Sequence, residues 1–308
     1  MTRVLALVNA AAGSAAEEAV AAAMVALRAG ADVELVPTAD LDELAAAVAT
    51  RGDRRLVLLG GDGSMHALAQ VLHDAGDLHR VGPVGLVPLG TGNDLARSLG
   101  IPLDPAQAAT VALTGRGLPV EMMLDSDDRV VVNAVHAGAG AEAAQRAASV
   151  KPVLGRAAYP AGAVAEGLRT RGWHLRVTVD DAVLHDGDER VLMVALGLGT
   201  SIGGGALVAP HANPFDGVAD VMVSLATGPV ARVGYALAMR RGKHGDRDDV
   251  VTARGCEVTV ESVDSEPFHT NADGELAGPF TTRSWRVVTD AWQLVVPDVD
   301  PPRTGQAS

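Results

Sequence analysis

Two glycine-rich stretches, GGDGS at residues 60–64 and PLGTGND at residues 88–94, carry most of the structural information in this chain of 308 residues. Each follows a short apolar run, at 56–59 and at 84–87, and each precedes a helix-like segment. Two such loops at the carboxyl ends of neighbouring strands form a crevice that binds phosphate through backbone N–H groups. Asp62 lies inside the first loop, where a carboxylate repels phosphates unless a cation lies between them. The two loops therefore predict a nucleotide site that uses Mg2+.

A single GGDG is a common turn after a strand, so this interpretation depends on having both loops. The sequence contains neither a Walker lysine motif nor a GxGxxG fingerprint after its first strand. The predicted site is therefore of a type different from both of those phosphate-binding loops.

The two loops resemble those of the diacylglycerol kinase catalytic-domain family, lipid kinases related to sphingosine kinases and more distantly to NAD kinases. The GTGND element separates the sequence from NAD kinases, which share GGDG but carry a different second motif. The resemblance implies ATP- and Mg2+-dependent phosphoryl transfer to a lipid alcohol. Further motifs follow in family order between residue 3 and about residue 296: NAAAG at 9–13, NAVHAGAG at 133–140, GGGALVAP at 203–210, DG at 216–217, RGKH at 241–244 and ADGE at 272–275.

The composition, 48% hydrophobic and 20% charged, is that of a folded protein long enough for two domains. A formal net charge of −13 argues against a nucleic-acid partner and against membrane docking by overall charge. The single cysteine, Cys256, excludes an intramolecular disulfide and fits a reducing cytoplasm. The apolar run Val4–Val8 is too short for a signal peptide, and the uncharged stretch 191–210 contains five glycines. We therefore expect a cytoplasmic protein that meets its lipid at the inner membrane surface.

Strand-like and helix-like segments alternate over the first 115 residues, which predicts a doubly wound α/β domain with a mostly parallel sheet. After Leu118, strands separated by turns predominate, with helical interruptions at 141–148, 157–169 and 230–240. This order of strand-like and helix-like segments predicts a β-sandwich-like second domain with helical insertions, as the resemblance also implies.

The expected organisation is thus a nucleotide-binding domain at 1–117 and a β-rich lipid-substrate domain at 118–280. The resemblance implies that the last strands, at about 281–297, return to the first domain. Residues 298–308 have the composition of a flexible tail.

The predicted nucleotide site uses the backbone of both glycine loops, and the resemblance adds Asn9 and Thr38 at two strand ends. Thr38 fits a strand-end turn residue equally well, and Asn93 caps a helix in either interpretation. The predicted ATP-binding residues are Asn9, Thr38, Gly60, Gly61, Asp62, Gly63, Ser64, Gly90, Thr91, Gly92 and Asn93.

Asp62 is the first candidate ligand for Mg2+, and the resemblance adds Glu275 and Glu121, which would reach the ion partly through water. Glu121 stands where the family usually has Asp, and it also fits an exposed strand glutamate. A structural metal of some bacterial relatives uses two adjacent aspartates before a glycine. Here Phe215 precedes Asp216, so that ligand pair is incomplete.

Asp273 in ADGE is the predicted catalytic base, although an acid–Gly–acid turn without that context is often only a solvated hairpin tip. A carboxylate of this kind orients the acceptor hydroxyl and takes its proton late. Two departures from the family concern the nucleotide: Ala67 replaces a frequent glutamate, and NAAAG lacks the usual proline. His244 in RGKH is interpreted as a structural histidine.

The lipid is expected between the domains, beside the loops at 138–140 and 203–205. The segment 152–168, with Lys151, Arg156, Arg169 and Arg171 around it, either docks on a membrane or packs on the sandwich. Diacylglycerol is the predicted acceptor and phosphatidic acid the product. A sphingoid base or another lipid alcohol is the first alternative, and a nucleotide-binding regulator without turnover is the second. The sequence is compatible with a homodimer and does not determine the oligomeric state.

Overall fold

The structure is a computed structural model that describes residues 1–10, 14–139, 141 and 171–298. Its N-terminal part alternates strands with helices. Within the described residues, four parallel strands form one sheet in the order β2-β1-β3-β4. The strands are β1 (Thr2–Asn9), β2 (Ala31–Thr38), β3 (Arg55–Gly60) and β4 (Gly85–Pro88), and the helices are α1 (Ser14–Gly30), α2 (Leu41–Ala49), α3 (Asp62–Asp74), α4 (Asp94–Ser98) and α5 (Pro105–Thr114).

Strands β1, β3 and β4 contain continuous buried apolar runs because helices cover the sheet, whereas the edge strand β2 carries Asp32 and Glu34 and is partly exposed. In β1, the residues from Val4 to Leu7 are completely buried. Two of the surrounding helices begin at aspartates: Asp40 caps α2 and Asp104 caps α5, each accepting a hydrogen bond from the N–H three residues later.

The parallel register brings the carboxyl ends of all four strands to one edge. Asn9 pairs with Thr38 at the end of β1 and β2, and Gly60 pairs with Pro88 at the end of β3 and β4. Both glycine loops leave the sheet at this edge, which in open α/β sheets is the ligand-binding edge.

The C-terminal part is a sandwich of two antiparallel sheets, each with six strands in the described part of the chain. Their orders are β14-β13-β10-β7-β16-β17 and β6-β5-β18-β15-β8-β9. Side chains from both sheets, such as Val194 and Val260, share one core. The strands are β5 (Arg116–Asp125), β6 (Val130–Val131), β7 (Ala134–Gly138), β8 (Leu175–Val179), β9 (Ala182–Asp186), β10 (Met193–Gly197), β11 (Ser201–Ile202), β12 (Ala206–Leu207), β13 (Ala219–Ser224), β14 (Val250–Gly255), β15 (Glu257–Ser262), β16 (Phe268–Ala272), β17 (Glu275–Phe280) and β18 (Thr282–Val296), with helix α6 (Pro229–Met239) between β13 and β14.

The long strand β18 connects the two parts of the molecule. It pairs with β15 at its start and with β5 along its length, from Trp285 opposite Asp125 to Val296 opposite Arg116. Near its end, Leu294 forms a parallel bridge with Val84 just before β4. The boundary predicted between residues 117 and 118 therefore lies inside β5, which pairs with β18 on both sides of a register shift between Val288 and Trp292.

The predicted fold class, an α/β domain followed by a β-sandwich-like domain, is confirmed. Apart from Ala141, the helices predicted at 141–148 and 157–169 lie outside the described residues, as do the segment 152–168, the cations Lys151, Arg156 and Arg169, and residues 299–308 of the predicted tail. Along the part of the chain that is described, no helix combines the length and the hydrophobicity needed to cross a bilayer.

Candidate active site

The two glycine loops touch each other backbone to backbone. A Cβ placed on Gly61 would lie 2.8 Å from the Cα of Gly90, and one on Gly90 would lie 2.7 Å from the Cα of Gly61. Side chains at these positions would force the loops apart, so the crevice requires glycine on both sides. Asn93 fixes the second loop, since it accepts from the Gly90 N–H at 2.9 Å and donates to the Gly90 carbonyl at 2.7 Å.

Helix α3 begins in the first loop and points its N-terminus into the crevice. Its cap residue is Gly61, which has no side chain to bond the N–H groups of the first turn. Gly60 is needed just before it, because a Cβ there would lie 2.6 Å from the Cβ of Ser64. Free N–H groups at a helix N-terminus, together with the helix dipole, make an anion site.

Two carboxylates meet beside Gly92. A Cβ on Gly92 would lie 2.9 Å from Asp62 Oδ2 and 3.1 Å from Asp94 Oδ2, so only glycine leaves the space between the two oxygens open. Asp62 accepts a hydrogen bond from the Leu95 N–H at 3.1 Å, which fixes its orientation.

Asp94 joins the two parts of the molecule. It accepts hydrogen bonds from Ser201 Oγ at 2.7 Å and from the N–H groups of Gly204 and Gly205, both at 2.8 Å. The second glycine loop is thereby attached to the loop at 203–205, where the lipid was predicted. The crevice between the two glycine loops and the surface of the sandwich are neighbours.

The paired carboxylates fit a divalent cation. Burial raises the pKa of Asp62 above its ordinary value; the N–H bonds of Leu95 and Asp94 oppose this, and the charges of Asp94 and Asp273 reinforce it. A cation in the space beside Gly92 would relieve that repulsion. Among the described residues, no three side chains of His, Cys, Asp or Glu form a ready-made metal site. Mg2+ needs only one or two carboxylates when water and phosphate complete its shell.

Asp273 lies in the two-residue turn between β16 and β17, where both Asp273 and Gly274 have positive φ, 51° and 100°. Its side chain is nevertheless 0% exposed. The carboxylate accepts from the N–H groups of Val132, Asn133 and Ala134 at 2.6, 3.0 and 3.0 Å, and its Oδ2 lies 3.1 Å from His66 Nδ1. Four partners use the lone pairs that a carboxylate has. Asp273 therefore anchors the turn, and its assignment as the base stays a prediction.

Glu275 and His66 lie near Asp273. Glu275 is exposed at the start of β17, two residues after the anchored carboxylate. Burial acts to lower the pKa of His66, but the hydrogen bond to Asp273 and the charges of Asp273 and Glu275 outweigh it and leave the pKa raised. His66 therefore keeps its proton to a higher pH than an ordinary histidine does.

Glu121 and Asp216 lie together in a second group of charges. Glu121 is 4% exposed, and its Oε1 accepts from the Gly217 N–H while its Oε2 has no hydrogen-bond partner. Burial raises the pKa of Glu121 to about 7, against the Gly217 hydrogen bond, and the charge of Asp216 adds to the rise. Asp216 itself is paired with Arg254. The metal roles predicted for Glu121 and Asp216 stay predictions. The contacts that the two carboxylates make are with Gly217 and Arg254.

The remaining predicted residues border the crevice at the sheet edge. Thr38 is buried at the end of β2, where its carbonyl accepts from the Ala10 N–H at 3.0 Å, and Asn9 is exposed at the end of β1. Gly63, Ser64 and Thr91 lie on the two loops.

His244 is completely buried, with Nε2 3.0 Å from the Val208 carbonyl, and burial lowers its pKa. These contacts agree with the structural interpretation of His244.

The sequence reasoning did not assign roles to Asp94, Ser201 and His66. The signal for Asp94 was present, since an acid directly follows the asparagine of the second loop. Ser201 and His66 carry no local signal. Their partners, Asp94 and Asp273, are 107 and 207 positions away in the sequence.

Comparison with known proteins agrees with this geometry. Residues 3–124 match the family model described as "Diacylglycerol kinase catalytic domain", and residues 133–296 match the "YegS C-terminal NAD kinase beta sandwich-like domain". The chain belongs to the diacylglycerol kinase family. A protein named "Diacylglycerol kinase" from Mycobacterium tuberculosis is 30% identical over 253 residues, which are 78% of this chain and 76% of that protein. The family makes the chain a lipid kinase, a phosphotransferase.

Two further family members are similar over most of their length. The "Probable lipid kinase YegS-like" of Pseudomonas aeruginosa is 31% identical over 236 residues, covering 76% of this chain and 72% of that protein. The crystal structure of a diacylglycerol kinase from Bacillus anthracis covers 96% of this chain and 97% of its own, with a TM-score of 0.71 and 17% identity. This likeness to a solved structure shows that the fold is shared.

Proposed function

We propose that this kinase transfers the γ-phosphoryl group of ATP to the hydroxyl of diacylglycerol, with phosphatidic acid as the product. The main support is the contact between Gly61 and Gly90, which builds one crevice from a helix N-terminus and a pair of carboxylates. Helix N-termini bind phosphate, and a carboxylate pair near phosphates calls for a cation. The name of the Mycobacterium tuberculosis relative supports diacylglycerol as the acceptor.

In this proposal the first turn of α3 holds the phosphates through the N–H groups of Gly63 and Ser64. Asp62 and Asp94 would hold a magnesium ion, which would shield the charge that develops on the transferred phosphoryl group. Asp94 also fixes Gly204 and Gly205, so the acceptor-side loop keeps a constant position relative to the phosphates.

The acceptor hydroxyl attacks the γ-phosphorus, the bond from phosphorus to the ADP oxygen breaks, and the hydroxyl proton goes to a carboxylate. We assign that proton to Glu275, because it is exposed while Asp273 is not. Asp273 keeps the turn in place through the backbone of residues 132–134. The sequence-based alternative, in which Asp273 is the base, predicts instead that Asp273→Asn is inactive while Glu275→Gln is active.

A direct test is transfer of labelled γ-phosphate from Mg-ATP to lipids in mixed micelles. The panel contains diacylglycerol, monoacylglycerol, ceramide and sphingosine, and the Asp62→Ala variant is the control. We expect label in phosphatidic acid with the unaltered protein and none with the variant. Label in another lipid would replace the substrate and keep the reaction type. Absence of label from every lipid, with ATP binding intact, would contradict the proposal and favour a regulator.

A further inference from the structure

Helix α6 exposes the residues that a helix on a globular protein usually buries. Val230, Val233 and Leu237 are 87%, 49% and 53% exposed, whereas Arg232 and Tyr235 of the same helix are buried. The spacing of three and then four residues places the three apolar side chains on one face. An amphipathic helix with its apolar stripe toward solvent is suited to a surface that offers apolar contact.

The charge around α6 is opposite to that of the whole protein. Residues 221–249 contain five Arg or Lys residues and three acids, Asp246, Asp248 and Asp249, in a chain with a formal net charge of −13. Three of the cations, Arg240, Arg241 and Lys243, are exposed at the C-terminal end of the helix. A local basic group beside an apolar stripe complements an anionic lipid surface.

The basic end of α6 is attached to the loop that borders the active site. A Cβ on Gly242 would lie 2.9 Å from Leu207 Cδ1, and His244 Nε2 is 3.0 Å from the Val208 carbonyl. The same loop carries Gly204 and Gly205, which bind Asp94. A surface that contacts α6 therefore lies near the place where the acceptor enters.

We propose that α6 docks this kinase on an anionic bilayer, with Val230, Val233 and Leu237 among the lipid headgroups and the three terminal cations against lipid phosphates. The inference rests on the proposed function, in which the acceptor is a membrane lipid. A second copy of the chain is a poorer occupant, because a two-fold pairing of this face would bring identical cations together.

Vesicle sedimentation of the full chain tests the docking. The vesicles are phosphatidylcholine alone or phosphatidylcholine with phosphatidylglycerol. The variant is Val233→Glu with Leu237→Glu, and the matched control is Val25→Glu with Ala29→Glu, an equal charge change on exposed positions of α1. We expect the unaltered protein and the control to bind the anionic vesicles, and the α6 variant to bind them about tenfold more weakly. Added salt weakens the binding of the unaltered protein.

Turnover of a short-chain diacylglycerol in detergent micelles separates this proposal from the proposed function. We expect the α6 variant to keep its turnover in micelles and to lose turnover on anionic vesicles. Absence of turnover in micelles with the unaltered protein would contradict the proposed function alone. Docking is overturned if the unaltered protein does not bind anionic vesicles, or if the α6 variant binds them equally well. It is also overturned if the variant changes only the dimer content measured by light scattering.

Discussion

Two pairs of acidic side chains in this protein differ in whether a positively charged side chain accompanies them. In the first, Asp62 and Asp94 meet beside Gly92, and the acids Asp94 and Asp273 raise the pKa of Asp62 further above the rise due to burial. In the second, burial raises the pKa of Glu121 to about 7, and Arg254, which is paired with Asp216, only opposes this rise.

The difference shows which group has a use for a bound cation. A buried acid pair is stable when a positive charge accompanies it, and the protein supplies one to the second group through Arg254. The first group has open space where its own chain carries only a glycine. We therefore interpret the first group as catalytic and the second as structural, although the sequence motifs associated both with metal.

The largest expected effect is on the rate of phosphoryl transfer when one acid of either pair is neutralised. Asp62→Asn should lower the transfer rate by roughly a hundredfold or more, because the charge that compensates the cation is lost. Glu121→Gln should leave the rate within about threefold, because it changes a group that we assign no part in the chemistry. Both rates are measured with labelled ATP. Equal losses in the two variants would remove the distinction between the groups.

The next effect tests whether Asp273 anchors the turn between β16 and β17 while Glu275 accepts the proton. Asp273→Asn should lower the free energy of unfolding by about 3 kcal/mol, since an amide nitrogen would face backbone N–H donors. Glu275→Gln makes the same charge change two residues away; it should leave stability unchanged and abolish transfer. Denaturant unfolding and transfer assays on both variants measure this. A stable, inactive Asp273→Asn protein beside an active Glu275→Gln protein would return the base role to Asp273.

The sequence was sufficient for features encoded in short stretches. The strand–loop–helix units around Gly61 and Gly90 are local, and their spacing predicted the crevice at the correct edge of the sheet. For strand β5 the sequence offered only an exposed strand glutamate at Glu121; the extent and burial of the strand were not predicted, because Pro119 and Glu121 interrupt its apolar pattern and its register depends on β18. Distant pairing also decides the surroundings of Asp273: its acceptor oxygens are occupied by N–H groups about 140 residues earlier in the chain. Sequence could therefore name the acid but could not predict its burial.

The smallest effect tests whether the second group is structural. The pKa of Glu121 is about 7, above its ordinary value of 4.5, so the folded protein holds a proton that the unfolded chain releases between these pH values. The free energy of unfolding therefore falls as the pH rises through this range, and the loss levels off about one unit above the folded-state pKa of about 7. Glu121→Gln cannot ionise and escapes the loss.

We expect Glu121→Gln to gain roughly 1 kcal/mol of stability relative to the unaltered protein when the pH is raised from about 6 to about 8. Denaturant unfolding at both pH values measures the difference, and Glu257→Gln, on an exposed strand position, is the control. An advantage of Glu121→Gln that did not change with pH would mean that Glu121 is already ionised in the folded state. Arg254 would then compensate both acids, and the two groups would differ only in the source of their cation.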